Sequence, residues 1–222
     1  MPTHLELDLA HIKRQLLAMG ALAEEALRNA TVSVTQREEE MARAALDGDV
    51  RVDELELAID DQCIKCLALY QPVAGDLRFL TAAMKMTTAL ERIGDLAGNI
   101  AKRALGLLQY PRFDADMRLD AMAEFTRSML HDVLDAFVTG NTELAREVCA
   151  RDDEVDAHNK ANIKLLIARM KANPADIEVC VSLLTVSRAI ERVADHTTNI
   201  AEDVVFLVEA LDIRHPSIND AH

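Results

Sequence analysis

The sequence predicts an all-α protein made of two tandem antiparallel three-helix bundles, six long helices related by internal duplication. Three observations lead there. Half of the 222 residues are hydrophobic but only 3% are aromatic, with no Trp, so Leu, Ile, Val, Ala and Met must build the core. Only 7 Gly and 5 Pro supply turns, a composition that favours helices packed through aliphatic side chains. Finally, one thirteen-residue stretch returns 100 residues later with seven identities.

The elements follow in order. Leu5, Leu9, Ile12, Leu16, Met19 and Ala23 recur at helical spacing and mark the buried face of a first helix. A polar turn is expected at Thr35-Gln36. A second helix then carries Met41, Ala45, Leu46, Val52, Leu55 and Ile59 to Tyr70. Gln71-Pro72 breaks it, because proline lacks an amide donor and crowds the preceding turn. The third helix is expected from about Ala74 to Gln109, ended by Tyr110-Pro111. The fourth is expected from about Asp114 to Val138, where Gly140-Asn141 signals a C-terminus. The fifth runs from Thr142 to Lys171 and stops at Asn173-Pro174. The sixth carries Val181, Leu184, Ile190, Val193, Ile200, Val204 and Leu207 to about Ile213, before Pro216 and a polar tail.

Duplication shows most clearly in the third and sixth helices. Ala89-Leu-Glu-Arg-Ile-Gly-Asp-Leu-Ala-Gly-Asn-Ile-Ala101 matches Ala189-Ile-Glu-Arg-Val-Ala-Asp-His-Thr-Thr-Asn-Ile-Ala201. One helix earlier, Asp49 and Asp53 match Asp152 and Asp156 at an offset of 103, and a turn of different length accounts for the change. The expected units are residues 1–112 and 113–222, joined near 110–114.

Charge narrows the function. The net charge is −14, from 38 acidic and 24 basic residues. Such a surface disfavours nucleic acid and anionic lipid, which call for clustered Lys and Arg. It is compatible with metal cations and basic protein partners. Cys63 and Cys66 have C-x-x-C spacing, but no second pair completes a zinc site. With Cys149 and Cys180 they are read as reduced thiols of a cytoplasmic protein. The longest uncharged stretch is the ten residues from Cys66 to Gly75, too short to cross a bilayer. The start, Met1-Pro-Thr-His-Leu-Glu-Leu-Asp8, does not read as a signal peptide.

The carboxylates carry the chemistry. Residues four apart share a helical face, so Glu91, Asp95 and Asn99 form a polar stripe, repeated by Glu191, Asp195 and Asn199. Asp49/Asp53 and Asp152/Asp156 sit on the neighbouring helices and could face these stripes across a hairpin. Eight acidic pairs have this spacing, but only 49/53 with 152/156 and 91/95 with 191/195 keep both acids in both halves. Four carboxylates and an amide oxygen suit a hard cation such as Mg²⁺, Mn²⁺ or Fe³⁺. The residues equally allow a structural network in which Glu91 and Asp95 bond Arg92, Arg103 or other cations. His196 adjoins Asp195, yet its counterpart is Leu96, and His158 is read as facing solvent. No Glu-x-x-His pair, Gly-rich phosphate loop, Gly-x-Ser-x-Gly or His-Glu-x-x-His motif occurs. Catalysis therefore has no positive support.

The repeated Glu-Arg-x-x-Asp-x-x-x-Asn-Ile-Ala, together with Gln71-Pro-Val-Ala-Gly-Asp-Leu-Arg-Phe79, resembles the PhoU family over about Leu5 to Leu211. The resemblance implies a pair of three-helix bundles. It implies iron, zinc or another metal at Asp49, Asp53, Glu91 and Asp95, and again at Asp152, Asp156, Glu191 and Asp195. Asn99 and Asn199 would support those ligands. It further implies a negative regulator of the phosphate-starvation response rather than an enzyme. Such a regulator links the ATPase subunit of a phosphate ABC transporter to a phosphate-sensing histidine kinase, as a homodimer. The alternative is a carboxylate-bridged metal-dependent hydrolase or oxidase.

Overall fold

Thr3 opens the first helix by a reciprocal cap. Its hydroxyl accepts from the Glu6 amide at 3.2 Å, and Glu6 Oε2 accepts from the Thr3 amide at 2.7 Å, satisfying amides that a helix start leaves bare. The computed structural model of the protein describes residues 2–112 and 117–214. Among these residues it has six α-helices, a short 3-10 turn and no strand. The helices are α1 (His4–Gln36), α2 (Glu39–Tyr70), α3 (Ala74–Leu107), α4 (Leu119–Thr139), α5 (Thr142–Ala172) and α6 (Ile177–Glu209).

The connections show why the helices end where they do. α1 continues through the expected turn at Thr35-Gln36, and Arg37 reverses the chain in the left-handed region (φ 63°). The Arg37 guanidinium then donates to the carbonyls of Leu107 at 3.0 Å and Tyr110 at 2.6 Å. It thereby caps the bare, negatively polarised end of α3, and α3 stops at Leu107 rather than Gln109. Pro72 follows α2 as expected. The expected start of the fourth helix near Asp114 lies outside the described residues. Gly140 ends α4 in the left-handed region (φ 68°), and Asn141 Oδ1 caps α5 by accepting from Glu143 and Leu144, both at 3.1 Å. Pro174 is a softer break than expected, because the 3-10 turn Pro174–Asp176 leads directly into α6. α6 ends at Glu209, short of the expected Ile213. There Arg146 of α5 grips Glu209 through two 2.8 Å bonds, and Ala210 turns left-handed (φ 58°).

Each half packs its three helices together, and α3 and α6 also pack on each other along the seam between the halves. α1 adds a smaller contact with α4. Equivalent core positions recur: Leu16, Met19 and Leu27 of α1 correspond to Leu119, Met122 and Leu130 of α4, all buried. Burial of these faces drives the packing. The halves differ beneath the surface. Asn162 donates to Ser187 Oγ at 3.2 Å, and Ser187 donates to Asn159 Oδ1 at 2.9 Å, all three buried. At the matching positions the first half has Ile59, Thr87 and Glu56, and Thr87 satisfies its hydroxyl on the Ala83 carbonyl at 2.7 Å.

Cys63, Cys66 and Cys180 are buried and unbonded, and Cys149 is half-buried. Burial pushes the Cys63 thiol up to about 12 and the Cys149 thiol up to about 11, so neither is a thiolate at neutral pH. No helix among the described residues is long and apolar enough to cross a membrane.

Candidate functional site

Adjacent antiparallel helices bring the predicted carboxylates together in both halves. In the first, Asp49 and Asp53 of α2 face Glu91 and Asp95 of α3. Burial first, then the charges of Asp53 and Asp95, pushes Asp49 up. Glu91 rises through burial and then through Asp95, with Glu56 and Asp53 adding to it. In the second half, burial and then Asp195, Asp156 and Asp153 push Asp152 up to about 6. Glu191 rises through burial and then Asp195, Asp156 and Asp152. Asp195 rises through burial and then Asp156. Desolvation disfavours each charge and the neighbouring carboxylates repel it, so both causes act in one direction.

Glu56 belongs to the first cluster although the repeat did not select it. Burial comes first in raising it, followed by Asp60, Asp53 and Asp95. Its spacing of seven from Asp49 puts both on one helical face, a signal that was present in the sequence. Asn159 replaces it in the second half and joins the buried network instead.

The packing around Asp49 is specific. A Cβ placed on Gly98 would lie 2.8 Å from Asp49 Oδ2, and one on Gly94 would lie 3.2 Å from Oδ1. Two glycines one turn apart thus let the α2 carboxylate settle against the α3 backbone. Asp49 Oδ1 is buried there without a hydrogen-bond partner among the described residues. The second half has Ala194 and Thr198 at these positions. Gly98→Ala is expected to change stability by no more than about 1 kcal/mol, since better helix propensity offsets the crowding. The Asp49 carboxylate would be displaced. Thermal unfolding and elemental analysis of one preparation would check both, and unchanged metal content would show that this seat does not matter.

Cations answer the acids only in part. Arg92 approaches Glu91 at 3.4 Å and Asp95 at 3.6 Å, but Arg103 points to a different groove. In the second half Lys160 bonds Asp156 at 2.8 Å. His196 is half-buried, and burial lowers its pKa ahead of the Arg192 charge. His158, expected to face solvent, is half-buried. Asn99 and Asn199 lie in the grooves between α3 and α6.

The donors suit a hard cation in kind: they are carboxylate oxygens, mutually repelling and short of counter-charge, with one buried oxygen unpartnered. Among the described residues, no three His, Cys, Asp or Glu side chains stand at ion-holding distances. Binding would therefore draw the facing carboxylates together. Asp49, Asp53, Glu91 and Asp95 would hold one ion or cluster, and Asp152, Asp156, Glu191 and Asp195 the other.

Comparison with known proteins agrees with this architecture. The family model described as the PhoU domain matches twice, over residues 16–104 and 119–204, once in each three-helix unit. The chain is 37% identical over 215 residues to a phosphate-specific transport system accessory protein PhoU homolog of Caulobacter vibrioides, covering 96% of this chain and 94% of that one. It is 32% identical over 208 residues to the phosphate-specific transport system accessory protein PhoU of Escherichia coli, covering 94% and 86%. Among solved structures it resembles PhoU from Pseudomonas aeruginosa, with a TM-score of 0.90 at 30% identity over 92% of this chain and 99% of that one. It also resembles the phosphate transport system regulatory protein PhoU from Streptococcus pneumoniae, with a TM-score of 0.87 at 29% identity over 95% and 99%.

Proposed function

This chain belongs to the PhoU family, and from that premise we propose that it is a cytoplasmic negative regulator of the phosphate-starvation response. It acts as an adaptor between the ATPase subunit of a phosphate ABC transporter and a phosphate-sensing histidine kinase. The observation that carries this reading is the match of both helical units, over nearly the full chain, to relatives named as phosphate-specific transport accessory proteins. Long helices packed along a shared seam provide extended rigid faces, which suit docking better than turnover. Self-association as a homodimer belongs to the same proposal, and analytical ultracentrifugation reads it directly.

The two carboxylate clusters have a structural part in this proposal. A bound cation supplies positive charge that offsets the repulsion among the acids and cross-links neighbouring helices. Asp49 and Asp53 hold the α2 side and Glu91 and Asp95 the α3 side. Asp152, Asp156, Glu191 and Asp195 do the same for α5 and α6. The metal is iron, zinc, manganese or magnesium, held to fix a docking surface.

A strain lacking its own member of this family tests the reading. Expression of this chain is expected to restore repression of a phosphate-starvation reporter in high phosphate, and immobilised protein is expected to retain the transporter ATPase and the kinase. Elemental analysis is expected to find bound metal in the native chain and its loss in Asp95→Ala/Asp195→Ala. An unrepressed reporter with no captured partner would overturn the adaptor. Phosphoester turnover abolished by Glu191→Ala would replace it with a metal-dependent hydrolase.

A further inference from the structure

α3 and α6 run antiparallel along the seam, with Lys85 of α3 beside Asp203 of α6 at one end and Arg103 of α3 beside Thr185 of α6 at the other. Two grooves lie between the helices, and their lining residues correspond at an offset of 100: 85 with 185, 88 with 188, 92 with 192, and 103 with 203. The duplication has therefore made the same groove twice. Their charges differ sharply.

The first groove mixes its charges, with Lys85, Arg92 and Arg214 set among the acids Glu202 and Asp203. Lys85 bonds Asp203 at 3.1 Å and lies 5.3 Å from the Phe206 ring centre. Glu202 adds a second acid to its wall. In the other groove, Thr185 replaces Lys85, Arg103 replaces Asp203 and Arg188 replaces Thr88. Its charged lining is Arg103, Arg188 and Arg192, with no acid. Arg192 also influences Glu191 and Asp195. Arg103 and Arg188 make no hydrogen bond or ion pair with any described residue.

That arrangement leaves three exposed guanidinium groups facing one groove. Arg188 and Arg192 are one turn apart, about 6 Å along the axis, where like charges repel. The floor is apolar, formed by buried Leu96 and Ala189, which strengthens electrostatic contacts above it. Asn99 adds an amide donor at the rim. Guanidinium forks match the oxygens of phosphate in geometry as well as charge. The groove, about 300 Å³, has room for a small anion.

We propose that the groove lined by Arg103, Arg188 and Arg192 between α3 and α6 binds a multiply charged phosphate-class anion, either free orthophosphate or the phosphoryl groups of a phosphorylated metabolite. The site borders the second carboxylate cluster through Arg192 but lies between α3 and α6 and stands on its own geometry. Adaptor activity could fail with this binding intact, and the reverse, so the two are told apart.

Isothermal titration of the full chain in metal-free, low-salt buffer tests it, with orthophosphate and pyrophosphate as probes. Arg103→Gln/Arg188→Gln is compared with Arg28→Gln/Arg43→Gln, which removes equal charge from exposed positions elsewhere. Binding is expected, weakened about tenfold or more only in the groove variant, as loss of charge-assisted hydrogen bonds requires. Binding of orthophosphate assigns the groove to the free ion. Binding of pyrophosphate alone assigns it to a phosphorylated metabolite. No binding of either at millimolar concentration, a groove variant that binds as tightly as the native chain, or equal weakening in both variants would overturn the proposal.

Discussion

Ile93→Ala is expected to destabilise the protein by about 2–5 kcal/mol, the range for truncating a buried aliphatic side chain. Ile93 is fully buried on α3, the helix that packs against α1, α2 and α6. The substitution removes apolar area from the core and leaves a cavity that long, mutually braced helices cannot easily close. For a chain of this size the midpoint should fall by about 4–20 °C, at about 2–4 °C per kcal/mol. Because α3 contributes to both halves, the loss should appear as a single lowered transition. Leu57→Ala is the control, since Leu57 is 72% exposed on α2 and its truncation should fall within about 0.5 kcal/mol of neutral. Thermal unfolding followed by circular dichroism reads both. Two separate transitions in Ile93→Ala would show that the halves do not share a core.

The second large effect concerns pH. Asp152 is pushed up to about 6 in the folded protein, whereas an unfolded Asp titrates near 3.9. A raised folded pKa means that the protonated form favours folding. That contribution is complete below the unfolded pKa and is lost as pH rises through the folded one. Asp49, Glu91, Glu191 and Asp195 shift the same way. The metal-free protein should therefore gain stability between pH 7.5 and pH 5, the opposite of ordinary acid denaturation. A shift of this size corresponds to about 3 kcal/mol below about pH 4, of which about half is gained by pH 5. Asp152 is only half-buried, and solvent screening reduces its share over this range to about 1 kcal/mol or less. Asp152→Asn should provide a similar gain at pH 7.5 without acid. Chemical denaturation across this range, with chelator present, checks the sign. A flat or falling profile towards pH 5 would mean that the clustered acids do not repel enough to matter.

Much of this molecule was legible in its sequence, for reasons that differ by element. Helical spacing marked the buried faces because each helix hides one stripe, and Pro72 and Gly140 end helices by local rules. Arg37 was harder to see: its role at the end of α3 depends on carbonyls about seventy residues away, and no local pattern encodes that contact. The same holds for Arg146, which fixes the end of α6. Duplication singled out eight carboxylates that do face one another across helix pairs. It overlooked Glu56, because a filter that demands acids in both halves discards any acid belonging to one. It also treated Gly94 and Gly98 as ordinary repeat positions, although their missing side chains seat Asp49. Asn159, Asn162 and Ser187 are distant in sequence and meet only once the helices pack, so spacing could not predict their network.

The paired grooves along the α3–α6 seam have a consequence for descent. Two identical polypeptides meeting about a true twofold axis would have to place the same residue on both sides, so any new charge would arrive twice. Joining the copies into one chain removes that obligation. Position 103 is Arg while its counterpart at position 203 is Asp. One groove holds the Lys85–Asp203 ion pair and the other presents three arginines, a difference that two identical copies about an exact twofold axis could not show.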